Sequence, residues 1–122
     1  MKKKFDLNER LIEFASKIID ISEALPKTFA ANHIAGQLVR SGTSPALHYG
    51  EAQSAESRND FIHKMKVSAK ELRETFNCLR LIRKKKWYTE EFLAIILDEN
   101  NQLISIFVKS IETAQKNNQN VR

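Results

Sequence analysis

The chain has 122 residues, of which 20 are Lys or Arg and 15 are Asp or Glu, giving a formal net charge of +5. That length fits one domain, and an apolar share of 42% excludes a disordered chain. Only 3 Gly and 2 Pro leave too few turn residues for a β-sandwich, a small barrel or a Rossmann unit, and no apolar run is long enough to span a bilayer.

The periodicity predicts four helices, at about 6–25, 30–55, 58–85 and 89–116, in a single domain covering 1–122. In the first, Leu7, Leu11, Phe14, Ile18, Ile21 and Leu25 recur at alternating gaps of four and three, which keeps one face toward a partner. Ile12 and Ile19 are expected to widen that face. Asp6 is a candidate N-cap, and Pro26 stops the helix because the residue before a proline is pushed out of the α region.

The second helix is rich in small residues, among them Ala31, Ala35, Gly36, Gly42, Ala46 and Gly50. Gly42 and Pro45 weaken its interior. The reading is one helix kinked near Gly42–Pro45, with two short helices joined by a turn as the alternative.

Ser57 and Asp60 form a variant capping box ahead of the third helix. Its stripe reads Phe61, Met65, Ser68, Leu72, Thr75, Leu79, Ile82. The helix ends in Arg83-Lys84-Lys85-Lys86, followed by Trp87-Tyr88. Thr89 is a candidate cap for the fourth helix, whose buried side is Leu93, Ile96, Leu103, Phe107, Ile111 and Ala114. The polar tail from Lys116 is expected to fray.

Short connections between long amphipathic helices imply an all-α, antiparallel up-down-up-down four-helix bundle. A turn between helices two and three centred near Glu56–Ser57 puts Arg40 level with Arg73, within one turn of Glu71 and Glu74. The expected contact is a structural ion pair from Arg40 to one or both glutamates, which sets register rather than chemistry.

Catalytic and metal readings find no support. A di-iron bundle needs Glu-x-x-His on two helices, and none occurs; Asp60-x-x-His63 and the reversed His48-x-x-Glu51 come nearest. Ser41, Thr43 and Ser44 follow no strand and lack P-loop spacing, so their hydroxyls are expected to satisfy backbone freed near Pro45 or to bond across an interface. Cys78 reads as a half-buried free thiol. No catalytic residue, metal ligand or cofactor is therefore assigned, and the chain is not read as an enzyme. One Cys and no apolar stretch after the basic N-terminus point to a cytoplasmic protein without a signal peptide or a membrane partner.

The basic clusters remain. Lys2, Lys3 and Lys4 lie at one pole of an up-down bundle. Arg80, Arg83, Lys84, Lys85 and Lys86 lie at the other, with no acid among residues 80–88. Cations at a helix C-terminus suit the macrodipole and keep a loop soluble. The same cluster can contact phosphates, with Trp87 and Tyr88 available to stack on unpaired bases. Both readings stay open from charge alone. The picture is of two basic poles around a slightly acidic body.

Gln37-Leu38-Val39-Arg40-Ser41-Gly42-Thr43-Ser44, Glu51-Ala52, Asp60-Phe61-Ile62-His63-Lys64-Met65-Lys66, Lys70-Glu71-Leu72-Arg73-Glu74-Thr75 and Leu79-Arg80-Leu81-Ile82 together resemble one group. These are small bacterial four-helix-bundle proteins, some encoded in intervening sequences of large-subunit ribosomal RNA genes. The likeness spans roughly Leu11 to Asn117. More distantly the chain is similar to the accessory variability determinant of diversity-generating retroelements. Pro45, His48 and Cys78 depart from the usual aliphatic residue, Asn and Trp of the group.

The resemblance implies a homo-oligomer, a pentameric ring in several members, with RNA or DNA as a partner, or a nucleic-acid-processing protein. A parallel ring would gather each basic pole into an annulus. The functional expectation is a non-enzymatic oligomer that associates with RNA or DNA without sequence preference. The alternative is a protein-interaction scaffold that binds no nucleic acid.

Overall fold

The structure is a computed structural model that describes residues 6–120, with side chains through Asn117. Four helices follow in order: α1 (Leu7–Ala24), α2 (Phe29–Gln53), α3 (Arg58–Lys85) and α4 (Glu90–Asn120). No strand occurs among the described residues. Each helix packs on its neighbour in sequence, and α1 closes loosely onto α4, so the fold is an all-α four-helix bundle.

Local chemistry sets the helix ends. The Asp6 carboxylate accepts from the Glu9 amide at 3.1 Å, and the Thr28 hydroxyl accepts from the Ala31 amide at 3.2 Å. Ser57 accepts from the Asp60 amide at 3.0 Å, while Asp60 reaches back to the Glu56 amide at 3.3 Å, one residue earlier than in a standard capping box. Leu25, ahead of Pro26, is extended and ends α1. α4 begins with Glu90 and Glu91 in its first turn and stays helical to Asn120, past the expected fraying point at Lys116. α2 is continuous through Gly42 and Pro45, which sets aside the two-helix alternative.

The α3 terminus holds a feature that its sequence hid. Lys86 adopts the left-handed conformation, with φ of 59°. The Trp87 amide reaches the Ile82 carbonyl at 3.1 Å and the Lys86 amide the Arg83 carbonyl at 3.1 Å, the two bonds of a Schellman motif. The motif favours an apolar residue at this position, and Trp87 packs half-buried against the core. A lysine in that conformation carries a Cβ penalty that glycine lacks, so Lys86→Gly is expected to raise stability by about 1 kcal/mol. Thermal melting of the variant checks this as a rise of a few degrees.

The core takes one stripe from each helix. Leu11, Phe14 and Ile18 of α1 meet Leu38 of α2, Met65, Leu72, Leu79 and Ile82 of α3, and Leu93, Leu103 and Phe107 of α4. Two expected core positions fall outside it. Ile12 and Ile19 are 47% and 40% exposed, because each sits one residue, or about 100° of helix, beyond Leu11 and Ile18. In α3, Ile62 is buried and Phe61 only half-buried.

Polar groups enter the core at mid-height. Ser41 and Thr75 are fully buried and their hydroxyls lie 2.9 Å apart across α2 and α3. Thr75 donates its single hydrogen to the Glu71 carbonyl at 2.9 Å, which leaves Ser41 as donor to Thr75. Asn100, also fully buried, donates from Nδ2 to the Leu72 carbonyl at 3.0 Å, and its Oδ1 meets no donor. One turn along α2 from Leu38, Gly42 lets α1 close in: a Cβ there would stand 2.6 Å from Ile18 Cγ2.

Candidate functional site

The cross-helix clasp at Arg40 forms with both carboxylates. Its guanidinium donates to Glu71 at 2.8 Å and to Glu74, with Gln37 at 3.4 Å on the same helix. The hydrogen bond to Glu74 and the charges of both glutamates hold the guanidinium above its ordinary value. Arg40 is about half exposed, so screening keeps the stabilisation small. What the clasp supplies is register between α2 and α3. A matching clasp joins α1 to α4, where Arg10 grips Glu99 at 2.7 and 2.9 Å and Gln102 at 2.6 Å.

The basic end of α3 divides into three parts. Arg83 is held by Glu90 of α4 through both carboxylate oxygens, Nε to Oε1 at 2.8 Å. That acid lies just outside the window 80–88, so one of the five cations is compensated. Arg80, Lys84, Lys85 and Lys86 are exposed and make no ion pair among the described residues. Arg80, Lys84 and Lys86 line a shallow depression with Asn77, Leu81 and Arg83. Trp87 is half-buried against the core rather than presented to solvent, and Tyr88 leans on Phe92 with ring centroids 6.3 Å apart. Lys2, Lys3 and Lys4 lie outside the described residues.

The Arg83–Glu90 pair makes an acid-sensitive latch. The hydrogen bond from Arg83 holds the Glu90 carboxyl below its usual range. A lowered carboxyl stabilises the fold above the unfolded value, and this is lost as pH falls through the folded one. Glu90→Gln is therefore expected to lower the urea midpoint slightly at pH 7, since both side chains are largely exposed, with the difference from the parent protein shrinking as pH falls through the carboxyl range. Asp60, lowered by its hydrogen bond from Lys64 at 3.0 Å, adds in the same sense.

Reading charges in runs along the chain missed a second arrangement. Lys66, Lys70, Arg73, Asn77, Arg80 and Lys84 follow one another at gaps of four, three, four, three, four. All six are exposed on the side of α3 that faces away from the core. α3 carries nine basic and three acidic residues, against net −2 on α1 and −3 on α4. All three of its carboxylates are engaged off this line, Asp60 by Lys64 and Glu71 and Glu74 by Arg40. The basicity thus runs along a helix as well as gathering at its end. The signal was present as the polar complement of the apolar stripe.

Other chemistry is thin. Ser44 Oγ lies 3.1 Å from His48 Nδ1 on the surface of α2, but among the described residues no acid bonds to the ring, and the surrounding amides belong to the helix. Cys78 is buried, and burial pushes its thiol up, away from the reactive thiolate. Among the described residues no cluster of metal-ligating side chains forms, and no helix is long and apolar enough to cross a membrane.

Comparison with known proteins agrees with this architecture. A solved structure of a protein with unknown function from the S23 ribosomal protein family of Bacteroides thetaiotaomicron VPI-5482 is 29% identical, with a TM-score of 0.80 over 87% of this chain and 98% of that one. No curated protein matches the chain. The family model described as 23S rRNA-intervening sequence protein matches residues 3–109, and the chain belongs to that family.

Proposed function

We propose that the protein is a non-enzymatic, cytoplasmic binding module that associates with RNA or DNA, without sequence preference, through the basic end of α3. The observation that carries this reading is the set Arg80, Lys84, Lys85 and Lys86, exposed and uncompensated where α3 ends. Such cations release counterions from a phosphate backbone, and no base-reading motif accompanies them. Trp87 is half-buried against the core, so this reading does not depend on its stacking.

Fluorescence anisotropy with a labelled oligonucleotide of mixed sequence tests the reading. Affinity should fall steeply between about 50 and 200 mM salt. Lys84→Gln, Lys85→Gln and Lys86→Gln together should flatten the dependence of log affinity on log salt by about 2 for a single strand. An unchanged slope would remove the α3 end from the contact.

A specific observation also supports self-association. Phe92 and Ile95 of α4 are 59% and 61% exposed beside a groove shared with Lys17 and Ile21 of α1 and closed by Tyr88 and Ile96. Large apolar side chains left open beside the loosest helix pair fit a second copy of this chain. Light scattering should report an oligomer that Ile95→Lys reduces to monomer.

A further inference from the structure

We infer that the outer face of α3 carries a single nucleic-acid strand along its length, with Lys66, Lys70, Arg73, Arg80 and Lys84 each meeting a phosphate. The inference rests on the nucleic-acid reading above and extends it from one end of the helix to a lateral track.

Three features on the molecule carry it. Lys66 to Lys84 spans about 27 Å of helix axis, with a cation or polar group at every turn. The cations are exposed and make no ion pair among the described residues, while the α3 carboxylates are turned off the line toward Lys64 and the single Arg40, which leaves negative charge at the edge of the track and none along it. The track is also one cation wide. Glu112 borders Lys66, Lys70 and Arg73 on the α4 side, and Glu71 and Glu74 border it on the α2 side. A duplex brings two phosphate rows separated by a groove, and the second row would meet those carboxylates. A lone strand presents one row and bends to follow the ridge. Val67 and Leu81, both exposed next to the track, offer apolar contact for bases without reading them.

The test compares three proteins by anisotropy on the same labelled single strand: the parent, the end variant described above, and a distal variant with Lys66→Gln, Lys70→Gln and Arg73→Gln. Glutamine is a good helix former, and circular dichroism checks that the distal variant keeps the parent's helix content. The track and the α3 end together offer seven phosphate contacts, from Lys66, Lys70, Arg73, Arg80, Lys84, Lys85 and Lys86, which predict a salt slope of about −5 for the parent, and the distal variant should lose about 2 of it. Affinity should also rise with strand length until the strand spans the track.

A distal variant with the parent's slope overturns the track while leaving the α3 end in place. A parent protein that binds no strand at low salt overturns both readings. A duplex of the same sequence that competes as well as the single strand overturns the single-row geometry. Equal displacement by polyglutamate of matched charge overturns phosphate recognition.

Discussion

Asn100→Asp is expected to destabilise the bundle by about 3–5 kcal/mol, a large part of the stability of a domain this size. Asn100 has no exposed surface, and its one hydrogen bond is donated, from Nδ2 to the Leu72 carbonyl. A carboxylate at that position would face the Leu72 carbonyl oxygen with no donor and no cation beside it. Burial would raise the new carboxyl above its unfolded value, so the variant's deficit should shrink as pH falls and the group takes up its proton. Asn100→Leu is the informative partner. It removes the orphaned Oδ1 and keeps the branched shape and the number of heavy atoms, with two methyls somewhat bulkier than the amide, while the Leu72 carbonyl retains its place in the helix. Chemical denaturation should find it about 1 kcal/mol more stable than the parent. A loss of that size instead would show that the bond to Leu72 outweighs the orphaned oxygen.

Gly42→Ala is expected to cost about 2 kcal/mol, although alanine is the better helix former by about 1 kcal/mol. The added methyl would stand 2.6 Å from Ile18 Cγ2 and 3.0 Å from Cγ1. Ile18 is fully buried and branched at Cβ, so it has no free rotamer to retreat into. Gly36→Ala and Gly50→Ala provide the contrast. A Cβ at either meets nothing within 4 Å, and each should gain about 0.5–1 kcal/mol. Combining Gly42→Ala with Ile18→Ala should cost less than the two single changes summed, by more than about 1 kcal/mol, because one methyl fills the space that the other change opens. Additivity in that cycle would remove the contact as the cause.

Much of the fold was legible because its signals are local. Asp6, Pro26 and Ser57 mark helix ends by stereochemistry that needs no neighbour, and the apolar stripe of α1 is buried residue for residue. The placing of Arg40 beside Glu71 and Glu74 followed from loop position and helical rise alone. Other features depend on partners. Asn100 completes the alternating spacing between Ile96 and Leu103, but a polar residue there does not announce burial. Ile12 and Ile19 look like core by type, and only the position of the neighbouring helices leaves them outside. Trp87 looked like a stacking platform because nothing in Lys86 signals a left-handed residue, and that residue turns the ring inward.

The candidate site was half legible for a related reason. A run such as Lys84-Lys85-Lys86 is conspicuous in one dimension, yet its members point in different directions. Lys66, Lys70 and Arg73 are dispersed in the chain and aligned only once the helix is wound. Conversely, Arg83 counted as free until α4 brought Glu90 against it.

The uncompensated face of α3 also restricts how copies of the protein can meet. Two such faces brought together would oppose like charges along most of their length, well inside the screening distance of about 8 Å in physiological salt. Assembly through α3 is self-avoiding. α1 and α4 carry net negative charge and the open apolar residues Phe92 and Ile95. Any higher-order form built on that side turns every α3 toward solvent, so growth of the assembly multiplies the exposed cationic surface instead of consuming it.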